Sequence, residues 1–280
     1  MLKIDPQQTP TADLHQYLLG AIAPRPIAFV STLSADGTPN LAPYSFFNAY
    51  SSRPPIVVFS SNRRVRDNTT KDTLANIAST GEVVINVVNH AIVYQMALAS
   101  IEYPPSVSEF DKAGLTPLES ERVRPYRVKE SPVQMECVVR QVLPLGDKGG
   151  AGNLIICEIV CMHINPDILG TDGKIDPYKI DLMARMGGPY YCRVVPESVM
   201  DIRQPVERRG IGMDGLPEAI RHSDILTGND LARLATIVAL PQAAADLPTD
   251  LNDSTNRHYQ AQQLIREGNI EAAWQVLLAH

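Results

Sequence analysis

Between Ser60 and Thr73 the chain reads SSNRRVRDNTTKDT. Ser60, Ser61, Arg64, Thr69, Thr70, Lys71 and Thr73 place hydroxyls and cations between an apolar run, Ile56 to Phe59, and a helical pattern that starts at Lys71. A helix N-terminus presents unpaired N–H groups and the positive end of its dipole. Hydroxyls and a lysine at that point make an anion site suited to phosphate. A solvated polar loop with a capped helix is the plainer account of the same residues. Arg64 and Lys71, flanking the cap, add the opposite charge that an anion site needs.

Upstream, Tyr44-Ser45-Phe46-Phe47-Asn48-Ala49-Tyr50-Ser51 alternates aromatic with small and amide residues. A flat ring such as a flavin needs apolar faces, with donors and acceptors along its pyrimidine edge. Main-chain groups, Asn48 and Ser51 can supply those. The competing account is an aromatic core strand at a bulge. The strand joining the two ends, ~5 residues long, spans roughly 17 Å, comparable to the distance from such a ring to its phosphate.

The elements that must hold these residues follow from local pattern. Thr11 to Leu19 is a short helical candidate, and Pro24 and Pro26 force an extended entry around Arg25. PIAFVSTLS reads as a strand, Asp36-Gly37 as a hairpin turn, LAPYSFFNAYS as one strand with Pro43 marking an edge or bulge, and PPIVVFS as another. KDTLANIAST reads as a helix, with Asp72 or Thr73 as cap, Leu74, Ile77 and Ala78 as the buried stripe, and Gly81 as terminator. EVVINVV is an apolar strand, and AIVYQMALASI is helix-like. A long Pro-punctuated excursion precedes two strands joined by GDKGGAGN. About six strands with short turns predict a small antiparallel barrel decorated by helices. There is no GxGxxG after a strand and no GxxxxGK[ST].

From about residue 196 the texture turns polar. NDLARLATIVAL is a helix candidate capped at Asn229, AAADLPTDLND a linker, and residues 256–280 two helices joined at Gly268-Asn269. That hairpin resembles half of a tetratricopeptide unit, without a second copy. It is expected to dock on the barrel or on a partner through Trp274, the only tryptophan.

The composition narrows the function. A formal net charge of -6 over 280 residues argues against nucleic-acid binding. No apolar run reaches the ~20 residues of a membrane span, and the N-terminus lacks a signal-peptide core, so the expected location is the cytoplasm. Cys137, Cys157, Cys161 and Cys192 match neither CxxC nor a zinc spacing, and no metal site is expected. Cys157 and Cys161 on one strand lie roughly 13 Å apart, too far for a disulfide, and read as small buried hydrophobes.

RPIAFVSTLSADGTPNLAPYSFFNAYSSRPPIVVFS, KDTLANIASTGEVVINVV, EFDKAGLTPLES, SPVQMECVV and ARMGGPYYCRV, in that order, closely resemble the flavin reductase-like family of FMN-binding split barrels, near flavoredoxins and the reductase components of two-component monooxygenases. The resemblance covers about Leu19 to Arg193. It implies a mainly β domain over residues 1–195, a six-stranded antiparallel Greek-key split barrel, with residues 196–280 as a linker and helical C-terminal extension. It implies a homodimer with FMN near the subunit interface. Ser45, Phe46, Phe47, Asn48, Ala49, Tyr50 and Ser51 would surround the ring, Ser60, Arg64, Lys71 and Thr73 the phosphate, and Arg185 would lie near the cofactor or the dimer contact.

Three activities compete. An NAD(P)H-dependent flavin reductase would pass electrons from NADH or NADPH to free flavin or a partner oxygenase. A flavoredoxin-like carrier would have little intrinsic nicotinamide activity. A non-flavin scaffold would bind a protein through its C-terminal hairpin. No catalytic acid or base is expected, because the flavin would carry the chemistry. His90 and His163, at strand ends, read as structural or solvated groups. Glu158 reads as a barrel-exterior residue that can pair with Arg140.

Overall fold

The computed structural model describes residues 1–202, 210–242 and 253–279. The chain divides into two compact units, Met1–Val199 and Met200–His280. The first opens with helix α1 (Thr11–Ala21) and strands β1 (Ala28–Leu33), β2 (Pro39–Tyr44), β3 (Phe47–Ser52) and β4 (Pro55–Ser60). Helix α2 (Asp72–Thr80), strand β5 (Glu82–Val87) and the short helices α3 (Val93–Leu98) and α4 (Glu109–Ala113) follow. Two short strands, β6 (Pro117–Leu118) and β7 (Arg127–Val128), precede the long hairpin β8 (Val133–Pro144) and β9 (Asn153–Ile164), and the hairpin β10 (Met183–Arg185) and β11 (Tyr191–Arg193) closes the unit.

The main sheet is antiparallel, in the order β2-β1-β5-β8-β9-β4-β3. It has seven strands rather than the six expected, because LAPYSFFNAYS is two strands. Residues up to Tyr44 pair with β1 and residues from Phe47 pair with β4. Alternation along a sequence cannot show such a change of partner. β2 and β3 are the two edges of the sheet, yet only Ser45 and Phe46 separate them. Three peptide steps reach about 11 Å at most, so the sheet curls until its edges meet at this corner. There Phe46 C=O accepts from Ser60 N–H at 2.8 Å.

Period-two patterning sends alternate residues of β1 to different cores. Ala28 and Val30 join Phe59, Ile85, Ile155 and Cys157 in one buried cluster. Phe29 joins Leu41, Met96 and Phe110, beneath α3 and α4, in another. Cys157 is buried and Cys161 half-buried.

Helix α2 has its N-cap at least one residue earlier than the expected Asp72 or Thr73. Lys71 is the N-cap, and no side chain caps the helix. Its buried face is Thr73, Asn76 and Ile77, while Ala78 is exposed. Asn76 Nδ2 donates to Thr32 Oγ1 at 3.0 Å, so polar contacts pin this face. Gly81 ends the helix with φ +67°, a left-handed value that glycine reaches without strain.

The second unit contains α5 (Glu218–Arg221), α6 (Gly228–Leu234), α7 (Ser254–Arg266) and α8 (Ile270–Leu277). Helix α6 is capped by Thr227 rather than Asn229: Asp230 N–H donates to Thr227 Oγ1, and Thr227 N–H to Asp230 Oδ2. Trp274 does not anchor a docking contact of the hairpin. It is 1% exposed inside this unit's own core, with Leu231, Leu234, Ile265 and Val276, and its Nε1–H donates to Leu234 C=O at 3.2 Å. The expected linker spans residues 243–253; 243–252 lie outside the described residues, and Asp253 is the N-cap of α7. Among those described, no helix is long and apolar enough to cross a membrane.

Candidate functional site

The corner where β2 meets β3 opens onto a cleft of about 480 Å3, within the usual range for small-molecule sites. Ser45, Phe46, Phe47, Asn48, Tyr50 and Ser60 line it, so six of the twelve expected cofactor residues meet in one place. Ala49 and Ser51 alternate away and are exposed. Tyr50 is 70% exposed, so the cleft is open on its aromatic side.

Arg25, unremarkable in the sequence apart from its two prolines, forms one wall. It is 4% exposed, and its guanidinium donates to Leu19 and Ile22 C=O of α1 and its exit, to Met186 C=O and, at 3.4 Å, to Ser45 Oγ. It also lies 5.8 Å from the centre of the Phe46 ring. Burial, and then the charge of Arg185, lower its pKa from the ordinary value. Arg25 and Arg185 exchange both backbone hydrogen bonds, which brings the ARMGG segment against the cleft wall. Arg185 itself turns to Gly188 C=O, at 2.7 Å, and to the Tyr191 ring.

The basic loop is held by the turn between β8 and β9. Ser61 and Asn153 exchange backbone hydrogen bonds, Arg63 N–H donates to Ala151 C=O, and Gly150 N–H donates to Arg63 C=O. The crossing is close at Gly152, where a Cβ would stand 2.6 Å from Ser60 Oγ and force that hydroxyl to move.

The other predicted anion residues face a different hollow. Arg64, Lys71 and Thr73 line a space of about 40 Å3 with Glu102 and Glu109, and it shares no lining residue with the cleft. Ser60 therefore belongs with the ring-side residues, its Oγ donating to Asn62 Oδ1 at 2.8 Å. Arg64 donates to Glu102 Oε1, Thr69 Oγ1 and Thr70 C=O. Thr73 is fully buried and accepts from Asn40 Nδ2 at 3.0 Å. Lys71 Nζ sits 4.9 Å from the centre of the Tyr44 ring. Burial first, then the neighbouring Arg64, lower its pKa below the ordinary lysine value.

Two polar atoms here lack partners. Ser61 Oγ and Tyr44 Oη, beside the hollow though not among its lining residues, are buried with no partner in full hydrogen-bond geometry. Burial raises the Tyr44 pKa to about 12, against the neighbouring Thr73 and Ser61 hydroxyls, which lower it. Such groups are costly to leave unpaired. Two orphan hydroxyls, two cations and a helix start without a side-chain cap make a donor set that suits a phosphate group.

The flavin reductase like domain model matches residues 20–178. The chain belongs to this flavin reductase family. An uncharacterized protein of Aquifex aeolicus is 36% identical over 196 residues, covering 70% of this chain and 97% of that protein. Nitrilotriacetate monooxygenase component B from Bacillus cereus superposes with a TM-score of 0.67 at 32% identity, over 72% of this chain and 98% of that one. A split barrel domain protein from Shewanella frigidimarina superposes with a TM-score of 0.61 at 24% identity, over 72% of this chain and all of that one. The curled seven-stranded sheet is thus this chain's version of the family's split-barrel fold, and the family is a flavin-binding one.

His90 and His163 are not part of either hollow. Glu158 accepts from Arg140 Nε at 2.7 Å on the sheet's outer side, where Arg140 is exposed.

Proposed function

We propose that this flavin reductase binds FMN and is an NAD(P)H-dependent oxidoreductase. The observation that carries the reading is the meeting of Arg64 and Lys71 in one hollow at the uncapped start of α2, with the buried Ser61 and Tyr44 hydroxyls beside it, in the same unit as the open aromatic cleft. Lys71 and Arg64 would hold the phosphate, Arg64 giving up its Glu102 partner, and the buried Ser61 and Tyr44 hydroxyls would be donors to it. Phe46, Phe47 and Tyr50 would flank the ring, and Ser45, Asn48 and main-chain groups of β3 would serve its polar edge. When bound, the flavin supplies hydride acceptance from nicotinamide and onward electron transfer.

The protein's part is to bind, orient and exclude. Arg25, fixed by carbonyls on both sides, holds the cleft wall rigid and keeps a positive charge behind Ser45. The exposed Tyr50 side is open enough for nicotinamide, and for a second copy of the chain to complete the cavity as a homodimer. Similarity to a monooxygenase component supports a partner oxygenase as the electron acceptor. The test is direct. Purified protein with FMN should oxidise NADH or NADPH in the presence of free flavin as acceptor. FMN binding without nicotinamide oxidation would select the electron-carrier reading. A protein that binds no flavin would reject both.

A further inference from the structure

Strands β8 and β9 bring Glu136, 25 residues upstream in the sequence, to the pair of metal-ligating side chains Cys161 and His163. Glu136 lies directly opposite Cys161 in the ladder, and His163 follows two residues on, along the same face. His163 Nε2 is 2.7 Å from Glu136 Oε1 and 3.5 Å from Cys161 Sγ, and the three ligand atoms all lie within 4.8 Å of one another. We propose that Glu136, Cys161 and His163 form a binding site for a borderline divalent metal ion, zinc foremost.

The donor set is one thiolate, one imidazole and one carboxylate, which suits zinc and leaves a fourth position for water. Tetrahedral zinc with ordinary bond lengths separates such ligand atoms by about 3.4–3.6 Å. The nitrogen–sulfur pair already has that spacing. The nitrogen–oxygen pair must open by roughly 0.7 Å, because the ion replaces the proton now shared between His163 and Glu136. The thiol proton of Cys161 leaves to solvent on binding.

The surrounding shell is built as metal sites usually are. Glu136 is fully buried, and its carboxylate is held by the backbone N–H groups of Glu121, Arg122 and Val123. Glu121 Oε1 stands 3.9 Å from His163 Nδ1, beyond hydrogen-bond reach as it lies, and a small shift of this exposed side chain would let it accept from Nδ1–H once Nε2 takes the ion. His163 and Cys161 are half-buried, so the ion has a route in from solvent. Cysteine spacing alone could not show this site, since one ligand comes from the neighbouring strand.

The test uses the full chain without an affinity tag, stripped of metal and titrated with zinc, and separately with cobalt as a spectroscopic substitute. The expected result is one ion per chain, with a thiolate-to-cobalt charge-transfer band. Cys161→Ser should lose that band, and His163→Gln should weaken zinc binding at least 100-fold. Glu121→Gln should weaken it by about 10- to 100-fold, while Cys192→Ser should leave it unchanged. Zinc should raise the melting temperature of the wild type but not of Cys161→Ser. Absence of the charge-transfer band in the wild type, or stoichiometric binding undiminished in both ligand variants, would overturn the assignment.

Discussion

Arg64 Nε donates to Glu102 Oε1 across 2.8 Å, and the second oxygen of the same carboxylate accepts from Arg66 at 3.2 Å. The two arginines hold the Glu102 carboxyl below its ordinary pKa. An acidic side chain thus sits on the cation proposed to receive the FMN phosphate. Cofactor binding would exchange one anionic partner for another, and the free protein would keep Arg64 oriented meanwhile.

Glu102→Gln should therefore tighten FMN binding. The pair is exposed, so its strength is about 0.2–1 kcal/mol, which corresponds to roughly 1.5- to 5-fold in Kd. Fluorescence titration of FMN checks this, and weaker binding in the variant would show that Glu102 supports the site instead.

Lys71→Gln should weaken FMN binding by about 10- to 150-fold, the loss of one charge-assisted hydrogen bond of roughly 1.5–3 kcal/mol. The wild type should also respond to pH in two opposite ways. Burial, followed by Arg64, places the folded Lys71 pKa below the model-compound value of 10.5. Between those two values the unfolded chain binds the proton and the folded one does not, so stability rises with pH across that window. FMN affinity falls over the same window, because the cation is lost. Lys71→Gln should flatten both trends in denaturation and titration series taken upward from neutral pH.

Tyr44→Phe separates ligand binding from folding. The Tyr44 hydroxyl is buried with no partner in full hydrogen-bond geometry, the Thr73 and Ser61 hydroxyls lying nearest, and removing such a group should raise the stability of the flavin-free protein by roughly 1 kcal/mol. FMN affinity should nevertheless fall, by about 2- to 10-fold. Urea unfolding without flavin, set beside an FMN titration, reads both. A variant that is less stable without flavin would mean that the hydroxyl already has a partner.

Trp274→Ala should destabilise the second unit by about 3–5 kcal/mol, since it empties a fully buried indole position and frees Leu234 C=O. FMN affinity should be unchanged, because every residue assigned to the site lies in the first unit. Urea unfolding followed by far-ultraviolet circular dichroism, with FMN binding measured in parallel, tests this.

Most of the strands, α1, α2 and the terminal helix pair could be read locally, because period and turn glycines are encoded within a few positions, whereas the caps of α2 and α6 fell one or two residues from where local pattern put them. Long-range features could not. The break at Ser45-Phe46 depends on which strand each side pairs with. Arg25 looked like a spacer between prolines, although a charged residue in so apolar a run was a signal that it is held by carbonyls. Ser60 followed Phe59 into the basic loop in the sequence, yet the turn at Gly152 brings it to the ring-side cleft. The Trp274 helices looked like an appendage because their core partners, Leu226 to Leu234, lie across a polar stretch.

The comparison of FMN with riboflavin, which differ only by the terminal phosphate, bears on the central claim most directly. Titrating the purified protein with each, the account predicts that FMN binds at least tenfold more tightly and that Lys71→Gln erases most of that difference. Equal affinity for the two flavins in the wild type would contradict the assignment of a phosphate to Arg64, Lys71 and the start of α2.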